Sequence, residues 1–403
     1  MMRRLIKYIL MPFLVLVGFS RPMSAAMLPQ VPLDFDSVSV SLITCYPGPE
    51  IYKLYGHTAL RVRYGERDVM FNYGVFDFDS PNFMYRFVTG EAIYILARYD
   101  FDMALDEYRR EHTRVVEQHL NLSEAAARSL MKRLLINAQP QNRGYCYNYI
   151  YDNCSTRARN IVESVLGSIS YGERTDSLRT FRDVMHHFNS SYAWQQFGID
   201  LALGRDLDVT MNDRDIQFAP IYLMKAFAGA TYVDAQGERH PLVSHTDIIL
   251  DGPETGSLLP PTPVYLQPLF FAILLFLLAL VVTLHDMRHK SISRVFDTVL
   301  YALFGIAGLL VYFLIFVSQH AATSPNYVGL WITPLYFVQM VLLWVKRSWR
   351  FLYFYQMINF ALLLVLIICG WCMPQQWNVA FYPLMATLAL RQFNFLFFIR
   401  RYA

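Results

Sequence analysis

Cys154 follows Asp152 and Asn153 at the start of a segment that reads as a helix over Cys154–Leu166. His57 lies far upstream, in Tyr55-Gly56-His57, at the head of a predicted strand. A cysteine at a helix N-terminus sits beside free backbone N–H groups and the positive end of the helix dipole. Both favour the thiolate, which is the nucleophile. A histidine brought beside it completes a Cys–His pair, the simplest covalent catalyst of this kind. Asn72 sits on the strand after that of His57, where it can bond the far ring nitrogen and hold the tautomer.

Taken alone, Cys154 reads as a buried structural thiol and His57 as a satisfied core or surface histidine. Their neighbours change that reading. Asp152 and Asn153 are both good helix caps, and Ser155-Thr156-Arg157 is not a core pattern. No phosphate-binding glycine loop, G-x-S-x-G elbow or zinc-ligand spacing accompanies them, so neither a metal nor a cofactor is expected.

Elements that position these residues follow from patterning. Residues 37–44 alternate as a strand, broken by Pro47, Gly48 and Pro49. Strands are expected over 57–64, 69–73 and 93–99, the first two joined by a turn at 65–67. Helices are expected over 102–111, 123–137 (Ser123 as its cap), 154–166, 180–188, 192–203 and 215–227. A tyrosine-rich stretch (Tyr145, Tyr147, Tyr149, Tyr151) leads into the Cys154 helix, and a hairpin is expected over 232–243, turning at Gln236-Gly237.

The wider chain says where the pair works. Of the 403 residues, 55% are hydrophobic, which points to membrane segments; the formal net charge of +3 gives no case for nucleic acid. Arg3, Arg4 and Lys7, the apolar run 8–19 and Ser24-Ala25-Ala26 read as an export signal over residues 1–26, or as an uncleaved anchor. Residues 27–251 are then an exported catalytic domain and 252–263 a Pro/Gly linker. Residues 264–403 hold five apolar segments, at 264–284, 296–317, 328–345, 351–371 and 379–398. Basic residues follow the first, third and fifth (Arg288, Lys290 and Arg294; Lys346, Arg347 and Arg350; Arg400 and Arg401), whereas connections 318–327 and 372–378 carry no Lys or Arg. This alternation gives five crossings with the C-terminus inside. Arg391, near the inner end of the last segment, is expected to snorkel to lipid headgroups. Cys45, Cys146 and Cys154 lie in the exported part; either Cys45 pairs with Cys146, or both are separate buried thiols.

The order of histidine on one strand, a polar residue on the next and cysteine at a helix start resembles the permuted NlpC/P60 papain-like superfamily. Within it, Tyr55-Gly56-His57, Phe71-Asn72-Tyr73-Gly74 and Tyr151-Asp152-Asn153-Cys154-Ser155-Thr156-Arg157 resemble the motifs of the Lnb-type bacterial lipoprotein N-acyltransferases, over roughly residues 30–250. The resemblance implies an α+β permuted papain-like exported domain followed by an α-helical transmembrane bundle, in the bacterial inner membrane with the catalytic domain in the periplasm. It implies Cys154 as acyl-accepting nucleophile and His57 as its base, with Asn72 as third member and Tyr55, Asp152, Asn153 and Arg157 in support. The implied partners are a membrane phospholipid as acyl donor and a diacylated lipoprotein as acceptor. An NlpC/P60-like cysteine peptidase or amidase acting on cell-wall peptide is the alternative, and it gains nothing from membrane spans.

Overall fold

The computed structural model describes residues 37–48, 53–78, 80–174, 176–253 and 260–402. The expected export signal and most of the expected linker lie outside these. The chain divides into two compact units. Among the described residues, one unit comprises residues up to Ser191 together with Thr210–Pro260. The other comprises Tyr192–Val209 and the C-terminal residues from Pro261.

The first unit is a mixed α/β domain. Its main sheet has seven antiparallel strands: β1 (Val38–Cys45), β2 (His57–Tyr64), β3 (Arg67–Phe76), β4 (Ile93–Asp100), β5 (Val115–Leu120), β6 (Gly144–Cys146) and, last in the chain, Val243–Leu250, which becomes β10 below. Their spatial order runs from that last strand through β5, β1, β2, β3 and β4 to β6. Helices α1 (Phe83–Thr89), α2 (Phe101–Arg110), α3 (Glu124–Asn137) and α4 (Cys154–Leu166) are interspersed. After α4 come β7 (Ile169–Ser170), α5 (Phe181–Asn189), α6 (Ala193–Ala202, which belongs to the second unit), α7 (Pro220–Ala228), β8 (Thr231–Val233), β9 (Arg239–Pro241) and β10 (Val243–Leu250); β7, β8 and β9 form a small second sheet.

Alternation in β2 sends Leu60 and Val62 to one face, where Phe71 and Tyr73 of β3 join them. Ala158, Ile161 and Val162 form the apolar stripe by which α4 closes that face, and Cys154 stands at the head of the stripe. On the other face, Ile43, Cys45, Ala59 and Met70 pack against Phe101, Ala104 and Leu105 of α2.

Most expected elements appear within a residue or two of their expected ends. β5 and β10 were not expected, because both carry polar runs. In β5 the run is Glu117-Gln118-His119, and Glu117 is fully buried between Arg61 and Arg63 at 2.8 and 3.2 Å. An ion-paired carboxylate hides the alternation on which strand reading depends. Cys45 and Cys146 are both free. They lie on β1 and β6, four strand spacings apart, or about 19 Å, far beyond disulfide reach.

The second unit is helical: α6, then α8 (Pro268–His289), α9 (Arg294–Phe316), α10 (Tyr336–Leu342), α11 (Trp349–Cys369) and α12 (Phe381–Tyr402). Among the described residues, three helical stretches are long and apolar enough to cross a membrane: Pro268–His289, Arg294–Phe316 and Lys346–Cys372. The expected segment 328–345 is not one helix. It forms a single 3-10 turn at Tyr327–Leu330, an irregular passage through Thr333-Pro334, and the short α10. Pro334 removes a backbone donor and turns Thr333 away from helical geometry. The passage lies so close to α9 that a Cβ on Gly308 would be 2.3 Å from the Thr333 carbonyl carbon. Helix α6 belongs to this unit, with Trp194 Nε1 donating to the Leu266 carbonyl at 2.7 Å, Asn378 donating to Asp200 at 2.9 Å and Phe197 packed on Phe381.

Arg391 corrects the snorkelling expectation. It is fully buried and donates to Asp297 at 2.6 and 3.0 Å, Asp286 at 2.8 Å and Thr283 at 2.8 Å. Asn394 and Ser293 complete the Asp286 shell at 3.0 and 2.6 Å. The cluster joins α8, α9 and α12. Arg391→Leu leaves two carboxylates buried without their cation, a loss of about 3–5 kcal/mol. The expected result is a lower melting temperature in detergent and less protein in the membrane; a wild-type melt would contradict it.

Candidate active site

Gly56 sets the entry to β2. Its φ is +77°, and a Cβ there would lie 2.6 Å from the Cys45 carbonyl oxygen, so only glycine fits between β1 and His57. His57 then pairs directly with Cys45 across the two strands. Asn72 lies on β3 just before a bulge. The register moves from Asn72↔Ala97 to Val75↔Ile95, one extra residue on β3, with Gly74 at φ +91°. Such bulges re-aim a side chain or bend a strand beside a site. The Asn72 Oδ1 accepts a short hydrogen bond from His57 Nε2. An amide oxygen only accepts, so Nε2 carries the proton and the Nδ1 lone pair is left for the thiol.

Cys154 opens α4. Its cap is specific: the Asn153 side chain accepts from the Ser155 and Thr156 N–H groups at 2.9 and 3.0 Å, and the Thr156 hydroxyl accepts from the Asn153 N–H at 2.8 Å. The Asn153 amide also donates to the Tyr149 and Phe218 carbonyls at 2.8 and 2.9 Å, which anchors the helix start from both sides. Among the described residues the Cys154 N–H has no hydrogen-bond partner, so it is available to an incoming anion. Thr58 and Ser155 hydroxyls meet at 2.9 Å and join β2 to the first turn of α4.

Charge follows from this packing. Burial alone would push the Cys154 thiol up. The His57 charge and hydrogen bond, with the Thr58 N–H and the Ser155 hydroxyl, outweigh it and hold the thiol below its ordinary value. For His57, burial opposes the charged form, but Cys154, then Asn72 and Glu107, raise the imidazole above its ordinary value. The two shifts point the same way, toward a thiolate–imidazolium pair. Cys45, in contrast, is pushed up to about 12 by burial, which keeps it a neutral thiol beside the site.

The other expected residues take supporting positions. Asp152 and Arg157 form a two-pronged ion pair at 2.6 and 2.7 Å, and the Arg157 guanidinium lies 3.4 Å over the Tyr145 ring. The Tyr55 hydroxyl accepts from Asn189 at 2.8 Å and its ring packs on Phe188; it braces the approach to His57. Sequence reasoning missed Tyr147. Burial and the neighbouring Cys154 push its hydroxyl well above the usual tyrosine range, its ring stacks on Tyr94 at 4.4 Å, and a Cβ on Gly74 would lie 3.1 Å from it. The signal was the alternation Tyr145, Tyr147, which sends two tyrosines to one side of an extended segment.

A lowered thiol, a histidine of fixed tautomer and a free N–H at a helix start can carry nucleophilic acyl transfer. Residues 28–186 match the family model described as the Lnb N-terminal periplasmic domain, and residues 261–402 match the one described as the Lnb transmembrane domain. No curated protein and no solved structure matches the chain.

Proposed function

The chain belongs to the Lnb family, membrane proteins of lipoprotein biosynthesis with a periplasmic and a transmembrane domain, and from that premise we propose that it is a lipoprotein N-acyltransferase working by a cysteine thioester. The observation that carries the reading is the His57 ring, with Asn72 on one nitrogen and the Cys154 thiol for the other, in a chain with helices fit to cross a membrane.

The Cys154 thiolate attacks the ester carbonyl of a membrane phospholipid. The carbonyl oxygen takes the negative charge, and the Cys154 N–H at the helix start donates to it, a contribution of about 3 kcal/mol for such a donor. The ester C–O bond breaks, the alkoxide takes the proton of the His57 imidazolium, and lysophospholipid leaves. The α-amine of the diacylglyceryl-cysteine then attacks the thioester. His57 accepts the amine proton, the C–S bond breaks, and thiolate and amide result. Asn72 orients the ring in both halves. Donor and acceptor are both membrane-anchored, so a catalytic unit covalently joined to spanning helices meets them by lateral diffusion. A periplasmic and a transmembrane domain fit an inner-membrane protein. The alternation of basic and uncharged connections supports a cytoplasmic C-terminus, with residues 328–345 as a broken crossing.

Protein incubated with phospholipid alone is expected to gain the mass of one acyl chain, removable by neutral hydroxylamine and dependent on Cys154 and His57. Asn72→Ala is expected to slow this adduct without eliminating it. With chain-labelled phospholipid, the label passes to the lipoprotein amine. An unlabelled amide would instead put the donor on the lipoprotein itself. An unchanged mass, in protein proven active on lipoprotein, would sink the phospholipid thioester.

A further inference from the structure

We infer that His119, His245 and Asp247, outside the catalytic site, form a metal site suited to zinc. The three come from adjacent strands. His245 pairs with His119 across β10 and β5, and Asp247 pairs with Glu117 two residues on. That register depends on a bulge: between Val243↔Leu120 and His245↔His119, β10 gains one residue, Ser244. Without the extra residue Ser244 would oppose His119, and His245 and Asp247 would fall on the other face.

The ligand atoms converge. His119 Nε2 lies 3.1 Å from Asp247 Oδ2, His245 Nε2 lies 3.7 Å from the same oxygen, and the donor atoms of all three residues fall within 4.8 Å of one another. Donors bound to one tetrahedral zinc at about 2.0–2.1 Å are about 3.3 Å apart, so little movement closes the site, and a water takes the fourth position. The imidazole rings lie parallel, 4.0 Å between centroids, and splay slightly to do so.

Both rings are held by their other nitrogen. The Ser244 hydroxyl donates to the His119 carbonyl at 3.1 Å, which uses its hydrogen. Its lone pair is left to accept from His245 Nδ1–H at 3.0 Å. The His245 Nδ1 is thereby engaged, and Nε2 is left facing the Asp247 carboxylate at 3.7 Å. The Ser41 hydroxyl lies 3.3 Å from His119 Nδ1, so a serine stands at the Nδ1 of each ring. A serine holding each Nδ1 and leaving Nε2 to the ion is the outer-shell arrangement that metal-binding histidines use. Glu117, 3.7 Å from His119 Nε2, is already engaged by Arg61 and Arg63 and adds negative field without being needed as a ligand. Zinc here would staple β10, the sheet's outermost strand, to β5.

The test uses the full-length protein in detergent, without a histidine tag and with Cys154→Ser, so that the nucleophile adds no affinity of its own. The protein is stripped with chelator, exposed to excess zinc chloride, desalted and assayed for metal. About one zinc per chain is expected, falling about tenfold or more in His245→Ala and in Asp247→Ala. Both side chains are more than half exposed, so these changes spare the core; an unchanged melt in chelator checks this. His119→Gln is the third variant. Cobalt in place of zinc is expected to give weak visible bands without the near-ultraviolet thiolate band. No retained zinc, retention that ignores the variants, or a cobalt–thiolate band would each overturn the site.

Discussion

Cys154→Ala and Cys154→Ser are both expected to lower acyl transfer by at least about 10³-fold while the protein still accumulates in the membrane. The alanine removes the nucleophile. The serine tests activation: its hydroxyl remains protonated under the same neighbours that hold the thiol down, because an alcohol ionises far less readily than a thiol. Neither change disturbs the helix start, which rests on Asn153 with the Ser155 and Thr156 N–H groups and on the Thr58–Ser155 contact. Cys154 is itself 5% exposed, so the alanine variant opens only a sulfur-sized space. The measurement is the mass of lipoprotein N-terminal peptides from cells carrying each variant, with membrane abundance as control. Wild-type levels of N-acylated peptide from Cys154→Ala would end the covalent reading.

The second large effect concerns His57 and pH. His57→Ala loses the proton carrier of both half-reactions and the charge that holds the thiol down, so a fall of about 10²–10⁴-fold is expected. In the intact site, thioester formation needs the thiolate and the imidazolium together. The thiol lies below its ordinary value, so activity is lost on the acid side as pH falls through that lowered value. The imidazole lies above its ordinary value, so the proton for the leaving alkoxide is lost as pH rises through that raised value. The profile is therefore a bell between the two, whose limbs belong to the pair rather than to either residue. The Asn72 bond helps to raise His57, so Asn72→Ala is expected to move the alkaline limb downward as well as lower the maximum. Single-turnover adduct formation across pH measures this. An alkaline limb unmoved in Asn72→Ala would leave Asn72 without an electrostatic part.

The local half of this arrangement was legible in the chain itself. Asp152-Asn153-Cys154 announces a capped helix start, and alternation places His57 and Asn72 on successive strands. What was not legible depends on pairing between distant strands. Glu117 and His119 fall in no element expected from patterning, and only Arg61, Arg63 and β10 beside them show the strand. No spacing in the sequence links His119 to His245, because their proximity depends on strand register and a single bulge at Ser244. Arg391 was misread for the same reason: its two carboxylate partners lie on other helices, and a lone arginine near a span end gives no hint of them. The segment 328–345 is apolar enough for a span, yet Pro334 within it marks the break, and its passage against Gly308 shows where the irregular backbone is accommodated.

Helix α6 carries a consequence for the order in which the molecule can be completed. Its partners Leu266, Phe381 and Asn378 all come later in the chain, beyond the last strand of the α/β unit. During synthesis Trp194 and Phe197 therefore emerge well before anything exists to cover them. The stretch Tyr192–Val209 gains these partners in steps, first Leu266 and last Phe381 at the start of the final helix. Units of a larger protein ordinarily finish in order from the N-terminus. Here the first unit's chain passes through an element whose partners run from Leu266 to Phe381, so a chain stopped before Phe381 leaves α6 without its full set of contacts.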